Sequence, residues 1–327
     1  MDQIYDVVII GGGPAGISAA VYCARKKLKT LLIAQSFGGQ SIVSADIQNW
    51  IGEPHISGLD LAKKLEAHIR TYSEIVEIKS PEKVMSVSSI RCLAGENRIC
   101  DFEINSDQGG IYQGKSVILA SGASPRKLNI LGEEQFSGKG VAFCSTCDAP
   151  IFINKKVAVV GGGNSGLEAV HDLFPYASEV YLLESTDSLK GDPLTVEEIK
   201  QNPKLKEIIL NAQILEILGE TLVTGLRYKD KVSGQEKTLE VEGVFVEIGM
   251  VPNSDMVKDL VQLDEHGQVI INFAHARTSH PGVFAAGDVT NDPYKQNNIS
   301  VGDGVRAALA CYAYLQGREK LSPAAER

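Results

Sequence analysis

The same arrangement of glycines occurs twice in the chain, each time directly after a short apolar run. The first copy, GGGPAG, occupies residues 11–16 and follows the strand-like residues 5–10, of which 7–10 are apolar, and the second, GGGNSG, occupies residues 161–166 and follows residues 157–160. In both places a helix-like stretch and then a second apolar run come next. A glycine-rich turn between a buried strand and a helix is typical of a β-α-β dinucleotide-binding fold, so the sequence predicts two such folds.

The glycine spacing in each copy, called here the first and second fingerprint, has a physical reason. Gly11 allows the tight turn, Gly13 lets the backbone approach a pyrophosphate at the helix N-terminus, and Gly16 allows close helix–strand packing. We assign nucleotide contacts to Gly11, Gly13, Pro14, Ala15 and Gly16 in the first fingerprint, and to Gly161, Gly163, Asn164, Ser165 and Gly166 in the second. Two fingerprints imply two nucleotides, and we expect one of them to be FAD.

A pair of cysteines stands shortly before the second fingerprint. Cys144 and Cys147 are separated by two residues, and Asp148 follows directly. Cysteines at this spacing can close a small ring, and their neighbours can lower one thiol pKa so that the thiolate attacks a disulfide. Asp148 can carry the proton that leaves or returns to a sulfur. We therefore predict a redox-active dithiol with these three residues as the catalytic set, and keep half a zinc site or a structural pair as alternatives.

Composition narrows the classes of protein further. Zinc normally takes four ligands, and the other four cysteines are scattered, so we expect no metal. The net charge of -9 argues against nucleic acid or an anionic membrane surface as the main partner. No signal peptide is visible, and no apolar run approaches the roughly 20 residues of a membrane span. Six cysteines in 327 residues are too few for a disulfide scaffold, which fits a reducing compartment. We therefore expect a cytoplasmic protein.

The order of these motifs resembles the low-molecular-weight thioredoxin reductases. The resemblance is carried by the first fingerprint, Phe37-Gly38-Gly39-Gln40, Asn49, the Cys-x-x-Cys-Asp stretch, the second fingerprint and Gly287-Asp288. The second half is more similar to the flavoprotein subunit of bacterial alkyl hydroperoxide reductase, in residues 211–213, 228–234, 240–253 and 294–296. That subunit has an additional N-terminal dithiol domain, whereas the first fingerprint here begins at residue 11, so we expect the disulfide partner to be a separate polypeptide.

The resemblance implies an α/β fold of two Rossmann-like three-layer domains, the second inserted into the first. The FAD-binding domain would comprise residues 1–118 and 250–327, and the pyridine-nucleotide and dithiol domain residues 119–249. Besides the first fingerprint, it implies FAD contacts at Gly39, Gln40, Asn49, Asp288 and Gln296; we assign Gly122 and Gly287, which end or follow buried strands, to the same set. It also implies that Cys147 lies nearest the flavin and that Cys144 exchanges with the partner.

Three positions bear on how the nucleotides are held. The acid that often binds the ribose in such a first fold is replaced by Ala34-Gln35-Ser36, and Asn297 and Asn298 replace the alanine and isoleucine expected after Gln296. In the second fold, Glu184 ends the second predicted strand, where a carboxylate accepts hydrogen bonds from a ribose 2′-hydroxyl and repels a 2′-phosphate. We therefore predict NADH rather than NADPH, with a solvated strand-end acid as the alternative for Glu184.

The leading hypothesis is a disulfide reductase. NADH would reduce FAD, FAD would reduce the Cys144–Cys147 disulfide, and Cys144 would attack a thioredoxin-like, glutaredoxin-like or peroxiredoxin-system protein. We expect a homodimer. The alternatives are a flavin-dependent NADH oxidase or acceptor reductase, a reductase that uses another flavin or iron–sulfur donor, and a non-enzymatic redox or nucleotide sensor.

Overall fold

The structure, a computed structural model, describes residues 3–44, 46–92 and 100–317. The strands of this part, β1 to β19 in chain order, are Ile4–Tyr5, Val7–Gly12, Thr30–Phe37, Val76–Lys79, Val84–Cys92, Cys100–Ser106, Ile111–Gly114, Val117–Leu119, Ala123–Pro125, Val141–Ala142, Lys156–Val160, Glu179–Leu183, Leu205–Ile209, Ala212–Gly219, Val223–Asp230, Glu236–Leu239, Gly243–Val246, Met250–Pro252 and Val283–Ala285. The α-helices, α1 to α6, are Pro14–Arg25, Gly58–Arg70, Ser145–Asp148, Asn164–Leu173, Pro193–Lys200 and Asn297–Leu315.

The chain divides into two compact units. Unit 1 comprises residues 1–42, 59–124 and 251–327, and unit 2 comprises residues 43–58 and 125–250. Unit 2 is thus inserted into unit 1. The division into an FAD-binding domain and a pyridine-nucleotide and dithiol domain, with boundaries at residues 118 and 249, stays a prediction.

Unit 1 contains a five-stranded parallel sheet with the order β19-β8-β2-β3-β4. Its central strand β2 is buried on both faces: Val7 and Ile9 belong to one apolar cluster, and Val8 and Ile10 belong to another. Such two-sided burial is typical of a parallel sheet between helical layers and explains why residues 7–10 are apolar without alternation. A four-stranded sheet, β1-β7-β6-β5, lies in the same unit.

Unit 2 repeats this design. Its parallel sheet has the order β10-β17-β11-β12-β13, and α4 connects β11 to the adjacent parallel strand β12. One apolar cluster includes Val157, Leu167 and Phe245, and the other includes Ala158, Val160 and Val244. An antiparallel sheet, β14-β15-β16, completes the unit. Both predicted β-α-β folds are therefore present, one in each unit.

The last helix begins earlier than the sequence indicated. The sequence pattern of residues 302–315 predicts only the later part of this helix, whereas α6 begins at Asn297 after an extended Gln296 (φ −125°, ψ 145°). Its first turn is polar, which hid it from a reading based on apolar periodicity. Residues 320–327, a tail that the sequence predicts to be polar, lie outside the described residues. Across the described ranges, no helix combines the length and apolarity that a membrane crossing requires.

Candidate redox and nucleotide-binding site

The two cysteines of the Cys-x-x-Cys pair are joined as a disulfide within unit 2. Their Cα atoms are 5.4 Å apart. Cys144 is extended (φ −148°, ψ 103°) and caps the four-residue helix α3, and the Asp148 N–H donates to the Cys144 carbonyl at 3.0 Å. This single turn therefore brings the sulfurs together and places the Asp148 side chain directly after them.

Asp148 is a buried carboxyl with a raised pKa. Burial raises the pKa of Asp148 to about 6, although a hydrogen bond from Ser44 acts in the opposite direction. The Ser44 hydroxyl donates to Oδ1 at 3.1 Å. Asp148 also lines a cavity of about 250 Å³ in unit 2, together with Val43, Phe143 and Phe152. A carboxyl with this pKa can both give and take a proton near neutral pH.

A second buried acid, Glu247, lies behind the same turn. It directly follows β17, and its carboxylate accepts a hydrogen bond from the backbone N–H of Ser145. Burial, with the nearby charges of Asp172, Glu168 and Asp148, raises the pKa of Glu247 to about 8. Glu247 belongs to no sequence motif, and its signal in the sequence is a single carboxylate inside the otherwise apolar run of residues 244–248.

The residues assigned to FAD in unit 1 gather around the start of α1. Gly11 has φ +119°, and a Cβ there would collide with the Ala120 carbonyl, so the turn requires glycine. Gly13 is the N-cap of α1, so no cap side chain accepts a hydrogen bond from the first N–H groups of the helix. A Cβ on Gly13 would lie 3.7 Å from the Gly39 Cα. The uncapped N–H groups of α1 and this glycine-lined gap fit the pyrophosphate of a dinucleotide.

Further assigned residues lie near this helix start. Gln40 donates to Asp288 at 3.2 Å, and burial raises the pKa of Asp288. A Cβ on Gly287 would lie 3.1 Å from the Ala15 Cβ. Gly122 (φ +68°) and Gln296 also belong to unit 1, whereas Asn49 belongs to residues 43–58 of unit 2.

The second fingerprint repeats this geometry in unit 2. Gly161 has φ +126°, and a Cβ there would collide with the Glu247 carbonyl. Gly163 is the uncapped N-cap of α4, and a Cβ on it would meet no heavy atom within 4 Å. Asn164 accepts from the Asp192 N–H at 2.7 Å and so holds the loop before α5. Open space at an uncapped helix start again fits a dinucleotide phosphate.

Glu184 lies at the end of β12 and is held by donors of this chain. Its Oε2 accepts from the Gly162 N–H at 2.7 Å, and its Oε1 accepts from the Thr186 N–H and hydroxyl at 2.8 and 2.9 Å. Burial opposes ionisation, but the Thr186 and Gly162 hydrogen bonds outweigh it and lower the pKa of Glu184. Glu184 is thus an ionised carboxylate tied to the second fingerprint, rather than the fully solvated strand-end acid of the alternative reading.

Comparisons with known proteins agree with this geometry. A profile of the pyridine nucleotide-disulphide oxidoreductase family matches residues 5–317, so the chain belongs to that family. It is 42% identical over 311 residues to a subunit of the alkyl hydroperoxide reductase of Staphylococcus aureus, and this match covers 95% of the chain and 59% of that protein.

Solved structures of thioredoxin reductases are similar to almost the whole chain. The enzyme from Streptococcus pyogenes has a TM-score of 0.86 and 33% identity, and covers 97% of this chain and 99% of its own. The enzyme from Giardia duodenalis has a TM-score of 0.85 and 28% identity, with 96% and 100% covered. The resemblance to thioredoxin reductases and to the alkyl hydroperoxide reductase flavoprotein subunit is confirmed, as is the fold class. Proteins of this family bind FAD and a nicotinamide nucleotide.

Proposed function

We propose that the protein is an FAD-dependent disulfide reductase that passes electrons from NADH to the disulfide of a partner protein. The observation that carries this proposal is the closed Cys144–Cys147 disulfide followed directly by Asp148, a buried acid with a pKa of about 6, in the unit that holds the second fingerprint. FAD, when bound at the first fingerprint, would supply the transfer of electrons between the nicotinamide nucleotide and this disulfide.

The protein residues then perform disulfide exchange. Two electrons and two protons convert the Cys144–Cys147 disulfide into two thiols, and Asp148 holds a proton at the carboxyl beside them. The thiolate of Cys144 attacks one sulfur of the partner disulfide, and the partner's other sulfur leaves as a thiolate and is protonated. Cys147 then attacks Cys144 in the mixed disulfide, which releases the reduced partner and restores the original disulfide.

We propose a thioredoxin-like, glutaredoxin-like or peroxiredoxin-system protein as the partner. The names of the relatives support this choice, since they are alkyl hydroperoxide reductase and thioredoxin reductases. The chain spans 59% of the length of the alkyl hydroperoxide reductase subunit it matches. We further propose that the protein is a cytoplasmic homodimer. Light scattering can test the dimer by measuring its molecular mass.

Substitution of Cys144 tests the disulfide pathway. Cys144→Ser removes the attacking sulfur, so thioredoxin reduction should stop while NADH still bleaches the flavin under anaerobic conditions. Cys147→Ser should also stop turnover but trap a mixed disulfide through Cys144. Cys23→Ala, which alters a buried thiol in unit 1, is the matched control and should turn over normally. Normal thioredoxin turnover by Cys144→Ser would refute the disulfide pathway, and NADH oxidase activity that survives in this variant as the main activity would favour the oxidase alternative.

Substitution of Glu184 tests the choice of nucleotide. A carboxylate at this strand end should favour NADH by about tenfold or more in kcat/KM, since a charged hydrogen bond contributes about 1.5–3 kcal/mol. Glu184→Arg should reduce or reverse the preference. Because Glu184 also accepts the Gly162 N–H, Glu184→Gln serves as the control that keeps an acceptor oxygen there. A wild-type enzyme that uses NADPH better would refute the proposal.

A further inference from the structure

The two residues between the cysteines are held by a carboxylate from another helix. The hydroxyls of Ser145 and Thr146 donate to one oxygen of Asp172, Oδ2, at 2.8 and 3.1 Å. Asp172 lies near the end of α4, the helix that begins at the second fingerprint. Ser145 is buried and Thr146 is exposed. Side chains therefore fix the redox turn to the nucleotide-binding helix.

Other contacts hold the same turn through its backbone. The Ser145 N–H donates to the Glu247 carboxylate, and the Asp148 N–H donates to the Cys144 carbonyl. These contacts order the main chain, whereas Asp172 accepts both hydroxyl groups that lie between the sulfurs. The sequence from Cys144 to Cys147 is thereby constrained at each of its two inner positions.

We propose that Asp172 is a positioning residue of the dithiol, which keeps Cys144 and Cys147 facing each other when the disulfide is open and so favours its closure. An ordered turn raises the effective concentration of one thiol at the other, because less conformational entropy is lost on ring closure. The negative charge acts in the same direction, since it disfavours a thiolate in the reduced turn. The inference rests on the proposed function only in taking this cysteine pair as the redox couple.

Equilibration with glutathione tests this role without turnover. Oxidised glutathione and the open dithiol yield two reduced glutathione molecules and the closed disulfide, and alkylation with mass spectrometry gives the fraction closed. Asp172→Ala should lower the closure constant about tenfold, which corresponds to about 30 mV in a two-electron couple. Asp172→Asn keeps an acceptor oxygen but loses the charge, so its constant should lie between those of the wild type and Asp172→Ala.

Two further variants separate positioning from general structural damage. Glu197→Ala removes an exposed carboxylate on α5 of the same unit and should leave the constant unchanged. Thr146→Val, at an exposed position, should lower it about two- to threefold, and should have no further effect in the Asp172→Ala background because the two residues act as one contact. Thr146→Val also carries the test if Asp172→Ala does not fold.

The outcomes are distinct. A closure constant within twofold of the wild type in Asp172→Ala would overturn the inference, even if the melting temperature fell. If that variant does not fold, a Thr146→Val constant equal to that of the wild type would overturn it. A lowered closure constant in Asp172→Ala, together with a wild-type protein whose disulfide NADH cannot reduce, would support the positioning role and contradict the proposed function instead.

Discussion

Replacement of Asp148 by asparagine should make the protein more stable and less active at neutral pH. The folded-state pKa of Asp148 is about 6, and the pKa in an unfolded chain is about 3.9. The folded protein therefore binds this proton more tightly, so the stability that Asp148 contributes is fully present below about pH 4 and is lost as the pH rises through 6. Two pKa units at 1.36 kcal/mol each give about 3 kcal/mol, an upper value for the free energy that asparagine would recover at pH 7.

Asparagine is suited to this test because it is neutral and keeps the oxygen that accepts from Ser44. Thermal melts of the oxidised wild type and Asp148→Asn from pH 4 to 8 should coincide near pH 4 and diverge by several degrees at pH 7. Asp187→Asn, at an exposed position of the same unit, is the control and should show no divergence. A variant less stable than the wild type at pH 8, or a difference independent of pH, would refute the buried-acid reasoning.

The same substitution should slow the dithiol step. A proton held at the correct atom typically contributes about 10²–10⁴-fold to rate, so Asp148→Asn should lose that factor in partner reduction. We expect the wild-type pH–rate profile to have a limb near pH 6, and the profile of Asp148→Asn should lose it. Hydride transfer from NADH, which is monitored as the bleaching of the flavin, should remain. An unchanged rate of partner reduction would show that the Asp148 proton is not used.

Three other perturbations have expected outcomes. Ser44→Ala removes the hydrogen bond that lowers the pKa of Asp148, so the acidic limb of the pH–rate profile should move upward from about 6; a downward shift would contradict this contact. Glu247→Gln should stabilise the protein increasingly as the pH rises toward 8, because the pKa of Glu247 is about 8 in the folded state and about 4.3 in the unfolded state. Urea unfolding of this variant and the wild type at pH 5 and pH 8 measures the difference in the free energy of unfolding. Gly13→Val should abolish flavin binding by filling the gap towards Gly39. The control Gly302→Ala, where an added Cβ meets no atom within 4 Å, should retain the flavin and purify as a yellow protein. Full flavin occupancy in Gly13→Val would refute the pyrophosphate assignment.

The two nucleotide folds could be predicted because their signals are local. A positive φ at Gly11 and at Gly161, and a helix that begins immediately after Gly13 and Gly163, follow from a few adjacent residues. Residues 179–183, of which 180–183 are apolar, likewise form strand β12. The polar first turn of α6 has no such signal, because its residues suit a loop as well as a helix start.

The surroundings of the dithiol could not be predicted, because the packing of distant strands creates them. Glu247 reaches the redox turn because β17 pairs with β11 in a register that places Val246 opposite Val160, just before Gly161. Asp172 reaches Ser145 and Thr146 because α4 returns along the same sheet. Neither residue belongs to a motif, so sequence spacing alone could identify the sulfurs and Asp148 but not the acids that hold their turn.

Glu184, predicted from the sequence as a ribose contact, also makes contacts within the chain that only the three-dimensional structure reveals. Its place after a strand indicated a ribose contact, and its lowered pKa is compatible with one. The hydrogen bond from Gly162 makes it also a support for the second fingerprint, since it fixes the loop that a dinucleotide phosphate would approach. Loss of affinity in Glu184→Ala would therefore combine both effects. In Glu184→Gln an acceptor can still hold Gly162, so any remaining change in NADH preference reports the charge.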